Sequence, residues 1–127
     1  VSHPRRGELG QATVELALLL PLVAVLALAV AQVVVVGYRQ VLVVHAAREG
    51  ARSAAVTDVD RLAAARRGAE RAGGLDPSRL DVDIRVVGDR VDVEVRFHEP
   101  TDVPVVGRLV PDLQLAATTA MRIEGSP

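Results

Sequence analysis

The sequence predicts an α+β protein: a long N-terminal transmembrane helix that continues outside the membrane, a second short helix, and a small three-stranded antiparallel sheet. Three observations lead there. Leu16 to Val36 is an apolar run broken only by Pro21 and Gln32. "LDVDIRVV-GD-RVDVEVRF" is a pair of alternating segments joined by a turn that begins with glycine. "LQLAATTAMRI" alternates in the same way. A chain of 127 residues has room for one small domain and an anchor.

At about 1.5 Å per residue, the apolar run is long enough to cross roughly 30 Å of hydrocarbon. A domain this small has no room to bury such a run on every side. Pro21 lacks a backbone donor and is expected to bend the helix or strain its first turns. Ala27 and Ala31, four apart, would let a neighbouring helix approach closely.

From Tyr38 to Val56 there is no proline and much alanine, so helix is expected to continue. Ala47, Ala51 and Ala54 form a small-residue face. His45, Arg48, Glu49 and Arg52 lie elsewhere around the wheel as a solvated face, with Glu49 within helical reach of His45 and Arg52. A continuous helix from Gln11 to Val56 would be about 70 Å long. Asp58 and Asp60 are candidate N-caps for the second helix, which runs to Ala72 and stops at Gly73-Gly74. Val59, Leu62, Ala63 and Ala69 are its expected apolar stripe, with Arg61, Arg66, Arg67 and Arg71 facing outward.

The hairpin can be registered from sequence alone. Setting Val87 opposite Arg90 brings Val86 to Val91, Ile84 to Val93, Val82 to Val95 and Leu80 to Phe97. All four apolar pairs then share one face. On the other face Arg85 meets Asp92 and Asp81 meets Arg96, and only Asp83 opposite Glu94 is unfavourable. A slip of one residue would destroy this agreement. The two-residue loop Gly88-Asp89 suits a primed turn. In the third strand Leu113, Leu115, Ala117, Thr119, Met121 and Ile123 alternate with more polar neighbours. The link from Glu99 to Asp112 carries Pro100, Pro104, Pro111 and a cluster of Val103, Val105 and Val106; it reads as a loop folded over the sheet or, alternatively, as a partner-binding patch. A sheet of this size needs a helical cover on its apolar face.

Composition excludes several functions. The formal net charge of −1 gives no general attraction for nucleic acid. With no cysteine, neither a disulfide nor a thiolate site is available. His3, His45 and His98 have no metal-ligand spacing. No phosphate-binding glycine loop or serine elbow occurs, and Ser53 and Ser78 have no evident base partner. Asp81, Asp83, Asp92 and Glu94 alternate outward, where solvated charges belong. No enzyme, metal, cofactor or small-molecule substrate is expected.

Glu15 needs a separate reason. A carboxylate at the middle of a membrane helix costs roughly 2.5–3.5 kcal/mol, and less near its end. Upstream of it lie Arg5, Arg6, Glu8 and Gly10. The stretch "GQATVELALLLP", followed after the span by "AAREGARSAAV" and at the end by "LQLAATTAMRIE", resembles the TadE-like family of Tad (Flp-type) pilus proteins, within the type IV pilin superfamily. The resemblance implies a pseudopilin or minor pilin cut by a prepilin peptidase after Gly10. Gln11 would become the first residue and Glu15 the fifth. It also implies a cytoplasmic N-terminus, a single pass through the cytoplasmic membrane and an extracytoplasmic C-terminal domain. Arg39, Arg48 and Arg52 after the span leave charge alone indecisive on that orientation. The expected organisation is a leader at 1–10, the transmembrane and extended helix at 11–57, and a small α+β domain at 58–127. The implied partners are the membrane, the peptidase and other pilus subunits met through the N-terminal helix. Glu15 would pair with the new ammonium at Gln11, in its own chain or in a neighbour. Gln11 departs from the phenylalanine usual at that place.

Two other readings use the same residues. Arg5-Arg6, Leu16 to Leu28 and Ala29-Val30-Ala31 form a secretory signal cut after Ala31, releasing a soluble domain that begins at Gln32. Alternatively, the run is an uncut single-pass anchor that presents an interaction module.

Overall fold

The computed structural model describes residues 6–100 and 112–125. The elements in chain order are α1 (Arg6–Ala55), α2 (Arg61–Arg71), a 3₁₀ turn (Pro77–Arg79), β1 (Leu80–Val87), β2 (Arg90–Glu99) and β3 (Leu113–Arg122). The architecture is α+β, as the patterning requires. The chain divides into two compact units, Val1–Val35 and Val36–Pro127.

In the first unit α1 is already helical at Arg6, upstream of the expected start at Gln11. Glu8 and Leu9 are good helix formers and carry the helix through two glycines. Helical assignment also continues unbroken across Pro21. Its apolar side chains have no cover: Leu18 is 73 % exposed and Leu22 65 %.

The second unit has two layers. Its sheet has the order β1-β2-β3, with β2 in the centre and both pairings antiparallel. The β1–β2 register matches the sequence derivation pair for pair, from Leu80 opposite Phe97 to Val87 opposite Arg90. Gly88 has φ +60, the left-handed backbone that a tight turn led by glycine needs. β3 pairs Val91 with Met121, Val93 with Thr119 and Phe97 with Leu115. The inward set of β2, Val91, Val93, Val95 and Phe97, is fully buried. The connecting segment 101–111, with its valine cluster, lies outside the described residues.

The cover comes from the helices. Val43, Ala46, Ala47, Ala51 and Ala54 of α1 are completely buried, and Ala65 and Ala69 of α2 join them. Of the expected α2 stripe, Ala69 is buried as expected, and the rest differs. The buried residues are Ala64, Ala65, Gly68 and Ala69, whereas Val59 is 79 % exposed and Leu62 45 %. Closeness is the reason. A Cβ built on Gly68 would stand 2.7 Å from the Glu49 carbonyl oxygen and closer still to Ser53 Oγ. A Cβ on Gly50 would lie 3.0 Å from the Ala65 carbonyl oxygen. Helices that approach this tightly select small residues, so apolarity alone misplaces the face. Arg61, expected outward, is partly buried; its Nε has no partner among the described residues, while its Nη2 reaches Asp58 at 3.4 Å. Of the two candidate caps, Asp60 caps α2. It accepts from the Ala63 N–H at 3.1 Å from a left-handed backbone with φ 48, which aspartate tolerates better than most residues.

Side-chain and backbone ties close the unit. Arg39 Nη1 donates to the Gly74 carbonyl at 2.8 Å, and its Nε lies 3.7 Å from Glu99, which is buried. Gln40 donates to the Ala116 carbonyl at 3.0 Å. The Glu124 N–H donates to the last helical carbonyl, Ala55, at 3.0 Å. The Ile123 N–H donates to the Asp89 carbonyl at 2.8 Å.

Gly68→Val should weaken the second unit by about 1–3 kcal/mol through overpacking against the Glu49 carbonyl. Gly37→Ala, which meets nothing within 4 Å, should not weaken it. Hydrogen exchange of the Val91–Phe97 amides in the detergent-solubilised chain reads both effects. Equal protection in wild type and Gly68→Val would remove the close-contact account.

Candidate functional site

The residues singled out for processing and assembly, Gly10, Gln11 and Glu15, all lie in the first unit, on the first turns of α1. Gly10 is exposed, and a Cβ placed there would meet nothing within 4 Å. The segment is therefore open on that side to an approaching protein. Side chains on a helix lean toward its N-terminus, so Glu15 reaches back over the turn that holds Gln11. Gln11 Nε2 donates to Glu15 Oε1 at 3.2 Å. In the intact chain the backbone nitrogen of Gln11 is a peptide amide. The partner of Glu15 in the intact chain is accordingly the neutral side-chain amide of Gln11.

Among the described residues, that bond leaves most of the carboxylate's acceptor capacity unused. Directly above it begins the apolar run. The helical stretch Gly10–Ala55 is long and apolar enough to cross a membrane, and none of its most apolar window is buried within the protein. This fits a single-pass membrane protein.

Elsewhere the candidate groups are spread out. His45 stands exposed on α1, while His98 Nε2 on β2 lies 3.2 Å from Asp81. Among the described residues no group of three or more histidines and carboxylates is placed to hold a metal ion. Arg96 bridges to Asp83 and lies 4.0 Å from Glu94, so it relieves the one unfavourable cross-strand pair; Asp81 turns to His98 instead. Among the described residues the Glu49 carboxylate joins neither His45 nor Arg52; it is the backbone carbonyl of Glu49 that faces Gly68 of α2. Ser53 accepts from Arg71 Nη2 at 3.4 Å.

Ser78 donates both its hydroxyl, at 2.7 Å, and its backbone N–H, at 3.0 Å, to Asp76 Oδ1. Those two bonds, the hydroxyl first, with the Arg79 charge added, hold the Asp76 carboxyl below its ordinary range. Sequence reasoning gave no tertiary role to Arg39 and Gln40, which tie α1 to the rest of the second unit. Their one signal was position, as the first polar residues after the apolar run.

Residues 10–52 match the family model described as TadE-like protein. The match takes in Gly10, Gln11, Glu15, the apolar run and the small-residue stretch through Arg52. The C-terminal segment that also suggested this family lies beyond the matched residues. Neither the curated proteins nor the solved structures give a match.

Asp76 provides a pH prediction. A carboxyl whose folded pKa is depressed contributes stability above its unfolded value, and that contribution is lost as pH falls through the folded value. The turn at Pro77–Arg79 should therefore stay formed around pH 4, near the ordinary aspartate value, and loosen only at lower pH. The Ser78 amide resonance, followed by NMR from neutral to acid pH, should show a midpoint below that of a free aspartate. Ser78→Ala should raise it. A midpoint at the free value in both would refute the bonding account.

Proposed function

We propose that this chain is a membrane-anchored pseudopilin or minor pilin that takes part in assembly of a Tad-type pilus, with a structural and not a catalytic role. The observation that carries this reading is the TadE-like match over residues 10–52. It covers the whole stretch from Gly10 through the span to the small-residue face of α1. The exposed apolar side chains of the first unit support the anchoring.

On this reading the chain crosses the cytoplasmic membrane once, with its second unit extracytoplasmic. A prepilin peptidase hydrolyses the peptide bond after Gly10. Water adds to the Gly10 carbonyl, and the products are a carboxylate on the leader and an ammonium on Gln11. The ammonium then competes with the Gln11 amide for Glu15. A charge-assisted pair is about twice as strong as a neutral bond, and apolar surroundings strengthen it further. If the carboxylate belongs to a neighbouring subunit, the same attraction fixes the register in which helices pack side by side. The partners are other pilus subunits, met through the N-terminal helix. No cofactor, nucleic acid or small-molecule substrate enters.

N-terminal sequencing of the protein from cells with and without the peptidase tests the reading. Expected is a start at Gln11 with the enzyme and an uncut leader without it. A start at Gln32 would favour the secreted reading, since the second unit begins at Val36 and would survive that cut whole. An uncut leader in both would leave a plain anchor. Glu15→Leu should insert in the membrane and fail to co-assemble; normal assembly of that variant would eliminate the pairing.

A further inference from the structure

Cleavage after Gly10 would make a glutamine the first residue, and a glutamine in that place carries both halves of a ring-closing reaction. Its own α-amine can attack Cδ of its side-chain amide. A bond forms between Nα and Cδ, the bond from Cδ to Nε2 breaks, and ammonia leaves with the proton that the amine gives up. No other reactant is needed. The product is a lactam whose nitrogen is an amide. It bears no charge and has no ion pair to offer Glu15. Position 11 is therefore a modification site on which the proposed pairing turns.

Ring closure has two requirements. The amine must be unprotonated, so that its lone pair is free, and Cδ must fold back toward it. The structure sets Glu15 against both. Gln11 Nε2 donates to Glu15 Oε1 at 3.2 Å. Glu15 lies one turn further along α1, toward its C-terminal end. The bond thus draws the amide away from the nitrogen of its own residue, which lies on the N-terminal side. If the ammonium takes the carboxylate instead, a charge-assisted bond holds the proton on the amine, and a protonated nitrogen does not attack. Whichever nitrogen of Gln11 the carboxylate holds, one reactant is withdrawn. No neighbour in sequence duplicates it, since the next carboxylate along the chain is Glu49. Gln11 itself is exposed, so packing within the first unit does not fix its side chain.

We propose that Glu15 shields residue 11 from closing into a lactam, and so preserves the ammonium with which it pairs. This rests on cleavage after Gly10 and gives the same carboxylate a second task at that site. The rival cut after Ala31 would also expose a glutamine, Gln32, but the residue four places on is Val36, which has no such group.

Mass spectrometry of the N-terminal peptide tests the proposal, because the lactam is lighter by one ammonia and lacks a reactive amine. A chain in which residues 1–10 are exchanged for a tag that an added endopeptidase removes directly before Gln11 supplies this terminus whether or not the cell's own peptidase cuts there. Failure of the natural cleavage and failure of the shielding are thereby read apart. After tag removal the detergent-solubilised chain is held at neutral pH, and the lactam fraction is followed with time. Wild type should close several-fold more slowly than Glu15→Leu. Glu15→Gln, which keeps an acceptor for the amide but has no charge, should also close faster than wild type. Gln11→Ala should lose no ammonia from its N-terminal peptide, which assigns the loss to position 11. Equal rates in wild type and both Glu15 variants, or faster closure in wild type than in either, would overturn the proposal.

Discussion

The second unit depends on how closely two helices can lie. With Phe97 as its one buried aromatic, this core has little bulk, and helices must come in near to leave no void. Gly68 against the Glu49 carbonyl and Gly50 against the Ala65 carbonyl set that distance. The run of buried alanines on α1 follows from it, and so do the valines of β2, which are wide enough to fill what remains between sheet and helix. The turn after α2 is tight as well: a Cβ on Gly74 would lie 3.0 Å from Leu42. The Gly74 carbonyl is thereby placed to accept from Arg39.

How much was legible in the residues varies with the rule that governs each element. The hairpin could be read completely, because strand alternation has a period of two and a single slip reverses every face. The third strand followed by the same logic, but its neighbour did not: β1 and β2 are alike on their inward faces, and only the tertiary structure sets β3 beside β2. The face of α2 was misread, because hydrophobicity does not register a contact made through a missing side chain. Glycine inside a helix normally signals weakness, and at position 68 it is the point of contact. Arg39 was invisible for a different reason. Its acceptors, a carbonyl 35 residues away and the carboxylate of Glu99, come from loops and strand ends that only the tertiary structure brings near.

The candidate assembly segment was legible as a spacing between Gly10 and Glu15, and residues 10–52 match the expected family. The alternative partner for Glu15 was not anticipated. In the intact chain the Gln11 side chain already caps the carboxylate with a neutral donor. A phenylalanine at that place would have no such donor to offer. The glutamine thus gives the uncut precursor a partial substitute for the charge that the proposed cleavage would create, and softens the desolvation of Glu15 meanwhile.

One consequence concerns depth in a bilayer. From Leu16 to Tyr38 the helix carries no ionisable group except the tyrosine phenol, about 35 Å of rise against roughly 30 Å of hydrocarbon. The first guanidinium after it, Arg39, is committed to Gly74 and Glu99 and has little freedom to snorkel toward lipid phosphate. Vertical position then falls to Tyr38, whose 63 % exposed ring has the amphipathic character of an interfacial anchor. An anchor held at that end by one phenol is free to tilt or slide by a turn of helix at small cost. Under the proposed role, that latitude would serve a helix that leaves the lipid for a neighbour.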